Sequence, residues 1–203
     1  MKHYFGIDLA GSPKRPTGIC VLSDDMNAET FIVYSDDDII KLVQKVKPTI
    51  IAIDAPLFLP KERKSLDTKE PVHLRECDKE LLRMGIKFFP ITLGPMRMLT
   101  KRGIKLRTIL ETSGYKVIET YPGAAQDILG IPRKKDPIGL KNGLIKIGIK
   151  INSKELSKDE IISLIAGLNS DAEIILITGG EPLIWQRNKD VVKLFSELKN
   201  TYG

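Results

Sequence analysis

The chain of 203 residues is 42% apolar and 29% charged, a balance that is typical of a soluble folded protein and excludes disorder along most of its length. No uncharged stretch approaches the roughly 18 residues of a membrane span, and Asp8 falls where a signal peptide needs apolar residues, so we expect a cytoplasmic protein. Two distant cysteines and two histidines exclude a disulfide scaffold, so that any metal site must consist mainly of carboxylates, which favours Mg²⁺ or Mn²⁺ over zinc.

The net charge of +6 is concentrated in the middle of the chain. Residues 61–150 carry 20 basic and 10 acidic side chains, whereas residues 1–60 and 151–203 each carry 6 basic and 8 acidic ones. A basic middle segment between two slightly acidic ends suggests a polyanionic partner such as nucleic acid. The alternative is a lysine-rich surface that is simply solvated.

The first part of the chain predicts the element order β-β-β-α-β. Short apolar runs predict strands at residues 4–9, 19–22 and 30–34. Ser35 is a suitable N-cap, and apolar residues then recur at helical spacing, which predicts a helix over residues 36–47. A continuous β-branched run at residues 49–53 is typical of a strand that is buried on both faces. We expect the first three strands to be antiparallel.

The rest of the chain predicts helices with few strands between them. Helices are expected at residues 71–84, 96–112, 124–129, 157–168 and 189–199, and a strand at 116–120. Residues 174–178 are interpreted as a further strand or as the end of the preceding helical region. Residues 130–152 are rich in lysine and glycine, and part of this segment is expected to be mobile. The whole chain is therefore interpreted as a single α/β domain, residues 1–203, with a basic helical and loop insertion around residues 60–112.

Three acidic residues stand at the ends of predicted strands: Asp8, Asp54 and Glu119. The carboxyl ends of parallel strands meet at one edge of a sheet, where ligands commonly bind. One such acid could simply end a strand where it faces water. Three are harder to explain in this way, because acids are depleted in strands and are costly there unless they are paired or metal-bound. Clustered carboxylates repel one another, and a divalent cation removes that penalty, so the pattern indicates a Mg²⁺ or Mn²⁺ site.

The sequence around these acids resembles a family of predicted ribonuclease H-like nucleases that was long described only as a domain of unknown function. The shared motifs are residues 6–12 (GIDLAGS), 53–57 (IDAPL), 75–78 (RECD), 118–124 (IETYPGA) and 159–160 (DE), in this order, and the likeness extends over residues 4–187. The resemblance implies a ribonuclease H-like mixed five-stranded sheet flanked by helices. It also implies a nuclease-like metal site, with little information on the substrate.

A fourth carboxylate is expected from the helix at residues 157–168. The family pattern carries a further acid where this chain has Ile162, and Asp159 lies one turn earlier on the same helix face. Asp159 is therefore the candidate that completes a metal-binding and catalytic set with Asp8, Asp54 and Glu119. The alternative role of Asp159 is a favourable contact with the positive end of its own helix.

Several side chains near these acids are candidates for substrate contacts. Lys61 follows the loop after Asp54, and Lys101 and Arg102 lie in a predicted helix where basic side chains could hold phosphates. Arg75 and Asp78 could form a helix-surface ion pair, but the resemblance favours contacts with substrate. Tyr121 is interpreted as a wall beside Glu119. The six candidates are Lys61, Arg75, Asp78, Lys101, Arg102 and Tyr121.

Three functions are compatible with these patterns. The leading hypothesis is a metal-dependent hydrolase that cleaves phosphodiester bonds in DNA or RNA. The absence of an acid at Ile162 motivates the second, a nucleic-acid-binding module that keeps the fold without catalysis. The third is a sugar-kinase-like phosphotransferase, which the length disfavours because such enzymes need two lobes, and no GxxxxGK[ST] loop is present. The sequence does not determine the oligomeric state.

Overall fold

The computed structural model describes residues 1–133 and 135–151, which are organised around one mixed β-sheet. Its strands are β1 (His3–Asp8), β2 (Thr17–Ser23), β3 (Asn27–Val33), β4 (Ile50–Ile53), β5 (Val117–Glu119) and β6 (Lys150–Ile151). Their order across the sheet is β5-β4-β1-β2-β3-β6. Strands β1, β2 and β3 form an antiparallel meander, whereas β4 and β5 add parallel to β1 on its other side. This arrangement confirms the predicted mixed sheet, which the two-residue strand β6 extends beside β3.

The helices are α1 (Asp36–Val46), α2 (Glu76–Arg83), α3 (Gly94–Thr112), α4 (Pro122–Leu129) and α5 (Pro137–Lys146). Helix α1 begins as predicted, because the side chain of Ser35 accepts a hydrogen bond from the backbone N–H of Asp38. Three of the helices, α3, α4 and α5, have a proline in their first turn, where its missing N–H costs nothing. No helix within the described residues is both long and apolar enough to span a membrane.

The sheet buries a separate apolar cluster on each face. On one face, called here the α3 face, the side chains of Ile7 and Ile53 pack with Leu106 of α3 and with residues of α1. On the opposite face, the α5 face, Cys20 and Leu22 pack against α5. Because side chains alternate along a strand, every strand residue can be assigned to one of these two faces.

Two sequence predictions need correction. No helix or strand was predicted within residues 130–152, whereas α5 and β6 occupy much of this segment. The expected mobility of part of it stays a prediction. Leu140 and Leu144, one helical turn apart, are fully buried on the α5 face, and this apolar stripe outweighs the glycine and lysine content. The helix predicted at residues 71–84 is also shorter, since α2 begins only at Glu76.

The predicted helices at residues 157–168 and 189–199 and the predicted strand at 174–178 lie outside the described residues. The division of the chain into a single domain therefore stays a prediction. Within the described part, the expected insertion around residues 60–112 contains α2, α3 and the connecting loops.

Candidate acidic site at the carboxyl ends of the parallel strands

Asp8 is the last residue of β1 and Asp54 directly follows the parallel neighbour β4, so the two residues lie at the same level of the sheet. Ile7 of β1 stands beside Ile53 of β4, and the backbone N–H of Asp54 donates a 2.8 Å hydrogen bond to the carbonyl oxygen of Ile7. Adjacent strands lie about 4.7–4.9 Å apart, so two carboxylates at one level can reach a common cation. Both residues are only partly buried. The structure thus brings together two of the predicted ligands.

Glu119 lies on the opposite face of the sheet from this pair. It stands beside Ile53, one position before the level of Asp54, so alternation directs its side chain to the α3 face. Its Oε2 accepts hydrogen bonds from the backbone N–H of Leu57 and from Nη1 of Arg75, each at 2.7 Å. Only 3% of the residue is exposed. Metal ligation by Glu119 stays a prediction, because the contacts in the structure bind it to protein groups.

Arg75 connects Glu119 to the start of helix α2. Its guanidinium donates to both carboxylate oxygens of Asp78, at 3.1 and 2.8 Å, and the backbone N–H of Arg75 donates to Asp78 as well. All three side chains are buried. Burial lowers the pKa of Arg75, but the charge of Glu119 and the hydrogen bond to Asp78 outweigh this effect and raise the pKa above its ordinary value. Arg75 therefore remains charged beside the two carboxylates that it contacts.

The loop that follows Asp54 is packed closely against helix α3. A Cβ atom added at Gly103 would lie 3.1 Å from the side chains of Ala55 and Leu57 and from the carbonyl oxygen of Pro56, so a larger residue would require these neighbours to move apart slightly. Arg107 of α3 donates to the carbonyl oxygen of Leu57 at 3.2 Å. These contacts fix the backbone N–H of Leu57 where it meets Glu119.

Two further arginines stabilise loops rather than facing solvent. Arg102 is only 7% exposed, and its guanidinium donates to the carbonyl oxygens of Ala10 and Tyr34 and to the carboxylate of Asp36. It thereby holds the loop that follows Asp8. Arg63 is equally buried and donates to four carbonyl oxygens, those of Ser65, Thr68, Glu70 and Val72. Neither guanidinium is exposed enough to contact a large substrate without a rearrangement.

The other predicted substrate contacts are Lys61, Lys101 and Tyr121. Lys61 is exposed, and Lys101 is half exposed with its Nζ 2.6 Å from a carboxylate oxygen of Asp67. Tyr121 is the N-cap of α4, and its hydroxyl donates to the carbonyl oxygen of Lys87 at 2.6 Å. Substrate binding by these residues stays a prediction. Asp159 lies outside the described residues.

The long-range partners of Glu119, and the residues that lie at the level of Asp54 across the sheet, were not predicted from the sequence. The backbone N–H of Thr120 donates to the carbonyl oxygen of Ile53 at 2.9 Å, which places Thr120 at the level of Asp54. The adjacency of Thr120 to Glu119 was visible in the sequence, and alternation could have assigned the two to opposite faces. Leu57 contributes its backbone N–H, and a contact made by the backbone cannot be predicted from the type of side chain.

The donor atoms of the acidic pair suit a hard divalent cation. Mg²⁺ is commonly held by one or two carboxylates, with waters and substrate phosphates completing its coordination. Asp8 and Asp54 supply such a pair, although no three His, Cys, Asp or Glu side chains within residues 1–133 and 135–151 are close enough to form a larger cluster. The pair therefore fits Mg²⁺ or Mn²⁺ as a partial protein ligand set.

The order of the five longer strands, with β2 as the antiparallel and β4 as the parallel neighbour of β1, defines an α/β protein with a ribonuclease H-like fold. The chain belongs to the family described as protein of unknown function (DUF429), whose model matches residues 6–142. No curated protein matches it. Among solved structures it is similar to T. thermophilus RuvC in complex with Holliday junction substrate, with 10% identity and a TM-score of 0.45 over 83% of this chain and 91% of that one.

Proposed function

We propose that this protein is a metal-dependent nuclease, which hydrolyses phosphodiester bonds in nucleic acid at Asp8 and Asp54. The observation that carries the proposal is the position of these carboxylates, side by side at the carboxyl ends of two parallel strands. This edge is where ligands bind in sheets with parallel strands. Two like charges at such spacing favour a bound cation, since it relieves their repulsion.

The charge of the surrounding chain supports a polyanionic substrate. Residues 61–150 carry twice as many basic as acidic side chains, and this segment includes the helices that follow Asp54. Lys61 is exposed and Lys101 half exposed, and their ammonium groups suit contacts with phosphate, although that of Lys101 is paired with Asp67. The buried Arg102 is assigned instead to holding the loop after Asp8.

The residues of the pair have a defined task in this chemistry. Asp8 and Asp54 would hold Mg²⁺ or Mn²⁺ through their carboxylate oxygens. The bound ion supplies Lewis-acid stabilisation of charge on the phosphate and lowers the pKa of water. Arg102 and the contacts of Leu57 keep the loops after the two aspartates in place.

The first test is the stability of the folded protein with Mn²⁺. A ligand that binds only the folded state adds about 2.7 kcal/mol to the free energy of unfolding at a hundredfold excess over its Kd. We expect this gain in the wild type and its loss in Asp8→Asn. Asp24→Asn is the matched control. Asp24 follows the last residue of β2, Ser23, whereas Asp8 stands beside Gly18 near the start of that strand. A gain that persists in Asp8→Asn would exclude Asp8 as a ligand.

The activity test uses plasmid DNA, single-stranded DNA, RNA and a four-way junction. We expect Mn²⁺-dependent cleavage of at least one of them, which EDTA and Asp8→Asn each abolish. Cleavage that is indifferent to EDTA would overturn the metal-dependent mechanism. The four substrates also separate the classes of nucleic acid that the sequence leaves open.

A second candidate function is a non-catalytic nucleic-acid-binding module. The ion pair between Glu119 and Arg75 favours this second function, because the pairing occupies one of the carboxylates expected in the catalytic set. This function requires binding whose affinity falls steeply with salt and no cleavage with either metal. Equilibrium binding over a range of salt concentrations, alongside the cleavage panel, distinguishes the two functions.

A further inference from the structure

Thr120 has a buried hydroxyl group without a hydrogen-bond partner among the described residues. The residue is 2% exposed, and its Oγ1 is the one buried side-chain nitrogen or oxygen in residues 1–133 and 135–151 for which no partner is found. Burying an unpaired hydroxyl is unfavourable, and such groups usually have a partner in the functioning protein. The position of Thr120 in the sheet indicates which partner this is.

Thr120 continues the row formed by Asp8 and Asp54. Ile53 stands beside Glu119, and the N–H of Thr120 bonds to the carbonyl oxygen of Ile53, so the next level across the sheet holds Asp8, Asp54 and Thr120. Thr120 directly follows β5, and extending the alternation of that strand by one residue directs Thr120 away from the α3 face that Glu119 occupies. The unpaired hydroxyl therefore lies on the same face and at the same level as the two carboxylates.

We propose that Thr120 is a positioning residue of the Asp8–Asp54 cation site, where its hydroxyl hydrogen-bonds a water molecule of the bound ion. The inference rests on the proposed function, since it requires a cation at these aspartates. Mg²⁺ and Mn²⁺ retain several waters when carboxylates hold them, and each such water needs an acceptor. The hydroxyl oxygen of Thr120 supplies such an acceptor. The carboxylate of Glu119 cannot, because it lies on the other face of the sheet.

The proposal predicts opposite effects on the free protein and on cation binding. In Thr120→Val the unpaired hydroxyl is replaced by a methyl group of similar size, so the variant should be at least as stable as the wild type without metal. The same variant should bind Mn²⁺ about tenfold more weakly, the usual loss when a group that orients a metal's ligands is removed. Thr120→Ser keeps the hydroxyl and should retain the affinity.

The test is a Mn²⁺ titration followed by electron paramagnetic resonance, combined with thermal unfolding of the metal-free proteins. Thr100→Val is the matched control, because Thr100 is also buried but its hydroxyl already donates to the carbonyl oxygen of Met96. This control should lower metal-free stability and leave the Kd for Mn²⁺ unchanged. A merely structural role of Thr120 would give the same result as the control.

The outcomes separate this inference from the proposed function. If the wild type binds Mn²⁺ through Asp8 but Thr120→Val keeps a Kd within about twofold of the wild-type value, the role of Thr120 is overturned and the cation site stands. If the wild type binds no Mn²⁺, or Asp8→Asn binds it equally well, the cation site itself is refuted and the role of Thr120 with it. If Thr120→Val binds Mn²⁺ more weakly and Thr120→Ser keeps the wild-type affinity, the inference is supported.

Discussion

Arg75 and Glu119, 44 residues apart in the sequence, form a buried ion pair in which Nη1 lies 2.7 Å from Oε2. The pair joins the start of helix α2 to the end of strand β5. Because Glu119 also accepts the N–H of Leu57, the same carboxylate holds the loop that follows Asp54. One buried charge network thus connects the expected insertion around residues 60–112 with the sheet that carries the acidic pair.

Removing Arg75 should strongly destabilise the protein. Arg75→Ala leaves the carboxylates of Asp78 and Glu119 buried without their cation, and loss of one partner from a buried pair typically costs about 3–5 kcal/mol. Arg75→Lys should recover only part of this loss, because one ammonium group cannot reproduce the bidentate contact with Asp78 and the contact with Glu119. Urea unfolding at neutral pH measures both effects.

The control for this prediction is Arg83→Ala in the same helix. Arg83 pairs with Glu80 on the exposed surface of α2, and such pairs contribute only about 0–1 kcal/mol. Equal effects of Arg75→Ala and Arg83→Ala would contradict the importance assigned to the buried network. If Arg75→Ala does not fold, the milder Arg75→Lys still allows the comparison.

Local patterns were sufficient to predict most of the sheet and the first helix. Apolar runs that end in Asp8 and Asp54 predicted β1 and β4, and the N-cap Ser35 predicted the start of α1. These features depend on neighbours in the sequence, so periodicity and capping determine them. Helix α5 was missed because glycines and lysines around Leu140 and Leu144 obscured the apolar stripe that packs on the sheet.

The candidate site was predictable in part for the same reason. A strand-end acid can be identified from sequence, but the face to which it points depends on the register between strands. Glu119 is displaced by one level from Asp54, and a displacement of one residue moves a side chain to the other face. Its partner Arg75 comes from a distant loop, which no local pattern could associate with β5.

Replacing Glu119 should affect folding and leave cation binding intact. Glu119→Gln keeps an acceptor for the N–H of Leu57 but removes the charge that faces Arg75, so we expect a loss of about 1–3 kcal/mol in the free energy of unfolding. The increase in thermal stability with Mn²⁺ should remain, in contrast to Asp8→Asn. Loss of that increase in Glu119→Gln would instead support Glu119 as a metal ligand, as the sequence predicted.

Cys77 should be unreactive in the native protein. Burial raises the pKa of its thiol to about 12, although the charge of Arg75 opposes the shift. The thiolate is the reactive form, so at about pH 8 modification should be roughly a thousandfold slower than for an unfolded thiol. Cys20 is fully buried, and its pKa is raised too. A disulfide-exchange reagent with absorbance detection, applied to native and urea-unfolded protein, measures both rates.

The same pKa shift has a consequence for stability at high pH. A thiol whose folded pKa is raised binds its proton more tightly in the folded state, so stability should fall as pH rises above the unfolded value of about 8.5. Cys77→Ser should reduce this alkaline loss, because serine does not ionise in that range. Rapid modification of Cys77 in the native protein near neutral pH would show that the pKa of its thiol is not raised. It would contradict both the slow modification and the alkaline loss of stability.

Lys61 should contribute to nucleic-acid affinity through phosphate contact alone. Its side chain is exposed in the loop after Asp54, so Lys61→Ala should leave the free energy of unfolding nearly unchanged. Each phosphate contact changes the slope of log Kobs against log salt by about 0.9 for duplex DNA and about 0.7 for single strands. Fluorescence anisotropy with labelled duplex and single-stranded DNA at several salt concentrations should show a slope that is smaller by this amount.

The matched control is Lys45→Ala, at the exposed carboxyl-terminal end of α1. This variant removes the same charge from the protein, so it tests whether net charge alone explains a change in affinity. We expect its salt slope to equal that of the wild type, because a local contact needs the lysine near the bound strand. If both variants reduce the slope equally, the basic surface acts only through its total charge, and the predicted contact at Lys61 is wrong.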